Sequence, residues 1–253
     1  MNLAKLFNTD NGEFVFNLLN LEDHEVDSLS PKRFWYGHIR DNINTLQGDI
    51  LEFGVYKGRS LFSMASLLKR LKSNKIVYGF DTFSGFPNVK KTELEYQFSK
   101  DDLIKFSRNK LYKEIEKQKI NLSSGHSISS GFEDINFKKD IKDKIDLFEL
   151  DNIVLIKGDF SETLDSFIGN LRGTIASINI DCDLGTGYSL ILDKCWEKLE
   201  VGGLVYLDEY YSIKYPGPMY VVDEFLKKEK TAKLVKHNTR KREFPRYSLV
   251  KLG

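Results

Sequence analysis

Apolar residues along the chain alternate between short unbroken runs and longer stretches that repeat every three to four positions, the periods of buried strands and of amphipathic helices. Ile50, Leu51 and Phe53 make the first run and predict a strand over 49–54, and residues 61–71 carry the helical repeat of a helix over 59–72. A second strand follows over 75–80 and ends in Asp81. The rhythm resumes at Ile153, with strands over 153–157, 174–180 and 204–207 and helices over 161–169, 187–199 and 219–228. Two more extended segments, 233–237 and 247–252, flank a basic stretch. Strand and helix in regular alternation predict a parallel sheet with helices on both faces, a doubly wound α/β fold. Ahead of it, Phe14, Leu18 and Leu21, then Phe34, Trp35, Ile39 and Ile43, fall at helical spacing. They predict helices over 13–22 and 32–46, an N-terminal helical cap within residues 1–47.

Between residues 88 and 151 the pattern is lost and Lys, Asp, Glu, Asn and Ser dominate. Helical stretches near 101–117 and 140–148 surround the polar segment Ser123-Ser124-Gly125-His126-Ser127. A structureless loop of that length is uncommon, so the insertion is expected either to form a helical lid over a site or to be a solvated excursion. With 253 residues, 41% of them hydrophobic, the chain is long enough to bury a large core as a single domain over 1–253. Its 38 Lys and Arg balance 37 Asp and Glu, so net charge gives no case for nucleic acid or an anionic membrane as partner. A small-molecule substrate fits better. No long apolar segment suggests a leader or a span, and Cys182 and Cys195 have no CxxC or zinc spacing. A cytoplasmic, reducing location is expected. The two N-terminal helices also offer an apolar surface on which a homodimer could form.

In an open parallel sheet ligands bind beyond the carboxyl ends of the strands, and here those positions are mostly acidic. Glu52 and Gly54 close the first strand, Asp81 the second, Asp159 and Phe160 follow the third, Asp181 and Asp183 the fourth, Asp208 and Glu209 the fifth. Gly54 and Gly58, with Tyr56 between them and Ser60 just after, give acidic-x-Gly-x-x-x-Gly. That is neither a dinucleotide fingerprint nor a P-loop. It is the pattern of S-adenosylmethionine (SAM) binding in Rossmann-like methyltransferases, or else a glycine-bearing turn that holds nothing. Asp81, followed by Thr82, suits the ribose hydroxyls of an adenosine ligand, or caps the turn that follows it. Asp159 and Phe160 suit the amine and ring face of adenine, or simply start a helix. If the fourth and fifth strands are neighbours, about 4.8 Å apart, Asp181, Asp183, Asp208 and Glu209 converge. Such a cluster raises its own pKa values unless a cation neutralises it, and an all-oxygen set suits Mg²⁺, with Ca²⁺ or Mn²⁺ as substitutes. The alternative turns Asp183 and Glu209 outward as helix caps.

Taken together these blocks resemble the macrocin O-methyltransferase family. The most specific is Gly79-Phe80-Asp81-Thr82-Phe83-Ser84-Gly85-Phe86-Pro87. Residues 52–58, 157–164, 179–184, 202–210 and 215–225 match in order, so the likeness spans 48–225 apart from the insertion. It implies a Rossmann-like, seven-stranded, mostly parallel sheet with a C-terminal antiparallel strand, and SAM-dependent, Mg²⁺-dependent methylation of a sugar or nucleotide-sugar hydroxyl. It further implies SAM contacts from Glu52, Gly54, Gly58, Ser60, Asp81 and Asp159, with Tyr56, Thr82 and Phe160 beside them. Metal ligation would fall to Asp181, Asp208 and Glu209, and proton removal to Asp181 or Asp183; His38 and His126 are alternative bases. Tyr210, Tyr211 and Tyr215 line the sugar pocket or pack. Two positions depart from the family: its Asp-Leu-Tyr is Asp183-Leu184-Gly185 here, and its Asp-Asp-Tyr is Asp208-Glu209-Tyr210. The competing readings are an NAD-dependent sugar oxidoreductase and a SAM-binding domain without metal-dependent catalysis.

Overall fold

The computed structural model describes residues 30–85, 137–212, 215–240 and 243–253. The expected helices over 13–22 and 101–117, most of the 88–151 insertion and His126 lie outside these residues. The described strands are β1 (Asp49–Phe53), β2 (Val77–Asp81), β3 (Ile153–Lys157), β4 (Ile175–Ile180), β5 (Leu199–Leu207), β6 (Ala232–Lys236) and β7 (Tyr247–Lys251). They form one seven-stranded sheet in the order β3-β2-β1-β4-β5-β7-β6. β1 to β5 pair in parallel, and β7 is antiparallel to both its neighbours. The helices are α1 (Arg33–Asp41), α2 (Arg59–Arg70), α3 (Phe137–Leu147), α4 (Phe160–Asn170), α5 (Gly185–Cys195) and α6 (Gly217–Lys228). This is the Rossmann-like architecture with one antiparallel strand that the resemblance implied.

β1 and β4 are central and covered on both faces, which is why their sequences are nearly unbroken apolar runs. On one face Ile50, Ala176 and Tyr206 pack beneath Trp35, Tyr36 and Ile39 of α1 and Leu61, Phe62 and Leu68 of α2. On the other, Leu51, Phe53, Ile178 and Ile180 meet Leu164 of α4, Tyr188 and Ile191 of α5 and Val222 of α6. Each fully buried Leu, Ile or Phe contributes about 1.5–3 kcal/mol.

Element ends differ from the sequence pattern where polar residues hide a strand. β5 begins at Leu199 instead of 204, because Leu199 pairs with Ile175 and is buried while Glu200, next to it, is used at the strand margin. There the Glu200 carboxylate accepts from the Gln47 N–H at 2.9 Å and from the Thr174 hydroxyl. α5 accordingly stops at Cys195, and one 3₁₀ turn, Trp196–Lys198, redirects the chain. α1 ends at Asp41 instead of 46, closed by the Asn42 side chain, which donates to the His38 carbonyl at 2.9 Å.

α1 is tied to the sheet by three polar contacts. The Trp35 indole donates to Ser177 Oγ at 3.0 Å, and the Tyr206 hydroxyl donates to the Pro31 carbonyl at 2.7 Å. The Arg33 guanidinium grips Glu243 with two bonds of 2.7 Å. Lys32 lies between the last two anchors.

Candidate functional site

The site grows from the register of three adjacent parallel strands. Phe53 of β1 pairs with Ile180 of β4, and Ile180 with Leu207 of β5, so the next residues, Gly54, Asp181 and Asp208, follow one another across the rim. The Asp181 N–H donates to Phe53 O at 2.9 Å and the Asp208 N–H to Ile180 O at 3.1 Å, which fixes that row. Gly54 has φ +92°, and a Cβ there would lie 1.8 Å from the Asp181 carbonyl oxygen. Only glycine fits so close a crossing.

The loop after β1 then turns on left-handed residues, Tyr56 at φ 50° and Gly58 at φ 80°, before α2 begins. Asp81, at the end of β2, braces it. One carboxylate oxygen accepts from the Val55 and Tyr56 N–H groups at 2.9 and 3.0 Å, and the other from the Phe83 N–H at 2.8 Å. Glu52 is fully buried in β1 and accepts from the Ser60 hydroxyl at the start of α2. Thr82 closes its own turn by donating to the Gly85 carbonyl. The structure therefore brings Glu52, Gly54, Tyr56, Gly58, Ser60, Asp81 and Thr82 together at one rim. It also shows that Asp81 organises the turn as well as facing it.

Asp159 lies beside Asp81, because the Gly158 N–H donates to the Asp81 carbonyl at 3.1 Å. Its side chain caps α4, accepting from the N–H and the hydroxyl of Ser161 at 2.8 and 2.7 Å. Phe160 sets its ring edge on Phe53 with centroids 5.2 Å apart. Both thus start a helix, and both do so at the same rim.

The acidic side chains do converge. Asp181, Asp208 and Glu209 each place a carboxylate oxygen within 4.8 Å of the others. Asp183, at φ 64°, stands outside this triad. Two cations that no local spacing reveals enter the cluster. Lys32 Nζ is 2.7 Å from Asp181 Oδ2 and 3.7 Å from Asp208 Oδ1, and Arg246 lies 3.6 Å from the same Asp208 oxygen. Burial pushes the Asp208 carboxyl up, but Lys32 and then Arg246 outweigh it and hold it below its usual range. Asp181 stays raised by burial despite Lys32. Glu209 is pushed well above the carboxylate range by burial, then by Asp208, Asp181 and Asp183. Its Oε2 lies 2.6 Å from the buried Tyr188 hydroxyl, which also accepts from the Glu209 N–H at 3.1 Å. Asp208 Oδ1 is buried and has no hydrogen-bond partner among the described residues. An oxygen-only donor set with such an atom fits a hard divalent cation.

His38 does not belong to this rim: it bonds to the backbone of Gly202, nearer the other end of β5, and so is not placed to act as the base there. Tyr210 is also turned inward, its hydroxyl donating to Asp223 at 2.6 Å and its ring packed on Tyr211 and Tyr247. Burial raises the Cys182 thiol well above its usual value, which makes it a poor nucleophile. No described helix is long and apolar enough to cross a membrane.

Residues 38–238 match the family described as Macrocin-O-methyltransferase (TylF). Among solved structures, the calicheamicin methyltransferase CalS11 is 25% identical over 99% of this chain and 90% of its own, with a TM-score of 0.67. A second CalS11 structure, described as a TDP-rhamnose 3'-O-methyltransferase of calicheamicin biosynthesis, is 22% identical over 99% and 92%, TM-score 0.58. The O-methyltransferase NovP is 19% identical over 88% and 80%, TM-score 0.60. No curated protein matches the chain.

Proposed function

The chain belongs to the macrocin-O-methyltransferase family, and from that premise we propose that it moves the methyl group of SAM to a hydroxyl of a sugar or glycoside, nucleotide-linked or free, with a divalent cation orienting the acceptor. The observation that carries the reading is the carboxylate triad within 4.8 Å, one strand away from the Gly54 turn. The family membership sets the nicotinamide oxidoreductase aside. The nucleotide-linked acceptor draws on CalS11, whose description names TDP-rhamnose.

In this reading Gly54 to Ser60, with Glu52, Asp81, Thr82, Asp159 and Phe160, hold the methyl donor. Asp181, Asp208 and Glu209 would hold the cation, Mg²⁺ by the character of its ligands. When bound, such an ion lowers the pKa of a coordinated hydroxyl and fixes its direction. Asp181 or Asp183 takes the hydroxyl proton as the oxygen–carbon bond forms and the sulfur–carbon bond breaks. Methyl transfer from labelled SAM to a panel of nucleotide sugars and glycosides, with and without EDTA, tests the proposal. Transfer that EDTA abolishes and Mg²⁺ restores is the expected result. SAM binding without transfer to any sugar would leave a SAM-binding domain only, and absence of SAM binding by calorimetry would overturn the reading.

A further inference from the structure

Lys32 reaches the acidic cluster from a part of the chain outside every strand end. Its backbone is pinned on both sides. The Tyr206 hydroxyl holds the Pro31 carbonyl, Arg33 donates to the Ser30 carbonyl at 2.9 Å and clasps Glu243, and the Lys32 N–H donates to Ser30 Oγ at 3.2 Å. The side chain is 8% exposed, so its charge is spent on the carboxylates and hardly on water. Nζ contacts Asp181 Oδ2 at 2.7 Å and stands 3.7 Å from Asp208 Oδ1. A divalent ion held by those two carboxylates would need oxygens at about 2.0–2.6 Å, and the ammonium already engages the same pair. Two cations that close repel strongly in a low-dielectric site. Lys32 and Arg246 also balance the charges of Asp181 and Asp208 without any metal.

We propose that Lys32 is a resident cation that competes with the divalent metal for the Asp181–Asp208 pair, so that metal loading requires its ammonium to withdraw. This rests on the reading of the triad as a cation site. Lys32 acts through those carboxylates and is a positioning residue.

Calorimetric titration of Mn²⁺ into the SAM-free protein tests it, comparing wild type with Lys32→Met, Lys32→Gln and Lys32→Arg. Both neutral variants are expected to bind Mn²⁺ at least tenfold more tightly than wild type, whereas Lys32→Arg, which keeps the charge, gains less than threefold. Equal or weaker binding by a neutral variant with the wild-type circular dichroism spectrum overturns the proposal and leaves the metal site standing. So does a full gain by Lys32→Arg. Absence of Mn²⁺ binding in wild type and every variant overturns the proposal together with the metal reading. If neither neutral variant folds, the wild type decides: Mn²⁺ should raise labelling of Lys32 by an amine reagent several-fold, and unchanged labelling overturns the inference.

Discussion

Gly185, where the resemblance implied a tyrosine, stands at the point where two helices begin side by side. A Cβ at 185 would come within 2.8 Å of the Gly217 backbone, so α5 and α6 start in direct main-chain contact and no side chain fits between them. One turn later Tyr188 places its hydroxyl 2.6 Å from Glu209 Oε2. Gly185→Tyr is therefore expected to lower stability by about 1–3 kcal/mol through overpacking, read as a fall in the urea midpoint. An unchanged midpoint would show that α6 does not begin against α5 as described. The glycine was visible in the sequence as a departure, but its cause was not, because residue 217 lies far along the chain. Lys32 escaped for the same reason: it is 149 positions from Asp181, and no local window connects an N-terminal lysine to a strand end.

Among the elements, α1 has an importance beyond its nine residues, because it joins the sheet face to the C-terminal hairpin. Its apolar periodicity predicted a buried helix, yet not that the helix has two destinations. Trp35 and Ile39 face the core, while Phe34 stacks on His237 at 4.4 Å and Arg33 holds Glu243. Arg33 is buried while Glu243 reaches water, so Arg33→Met chiefly loses two charge-assisted hydrogen bonds and should cost about 1.5–3 kcal/mol in chemical denaturation. A loss below about 1 kcal/mol would mean that the pair is not formed as described. His237 adds a pH dependence to the same contact. Burial, then the charges of His38 and Arg33, push its folded pKa down to about 4. The unfolded histidine protonates near pH 6.5, so between about 6.5 and 4 the unfolded state binds the extra proton. Stability should thus be insensitive to this group above pH 6.5 and should fall as the pH drops toward 4. Replacing His237 with Asn should shrink the difference between unfolding free energies at pH 7 and pH 5; a difference of unchanged size would assign the acid sensitivity elsewhere.

At the scale of the whole molecule, the sheet order sets the chemistry. β1 has β2 on one side and β4 on the other, so the chain winds outward in both directions from a single seam, and ligands collect at such a switch point. Because parallel strands all end at one rim, the acidic residues could be found from the sequence alone. What closes the rim could not, since α1 and the residue before the antiparallel β7 contribute through the fold and not through any motif. In the function proposed above, the seam also divides the labour. Glu52 and Asp81 lie in β1 and β2 and Asp159 follows β3, whereas Asp181, Asp208 and Glu209 follow β4 and β5, where Lys32 and Arg246 reach them. The two halves should therefore respond separately. Asp208→Asn is expected to cut methyl transfer by at least about a hundredfold while leaving the SAM dissociation constant within threefold, because the proposed function puts its carboxylate on the acceptor side. Asp81→Ala should do the reverse and weaken SAM binding at least tenfold, since it removes both a donor-side carboxylate and the brace on the Val55 and Tyr56 N–H groups. Calorimetry with SAM and initial rates with a sugar acceptor bearing the free hydroxyl measure the two effects independently. Should Asp208→Asn lose SAM affinity in proportion to its rate, the acidic triad would belong to the donor, and the division of the site at the β1–β4 seam would be wrong.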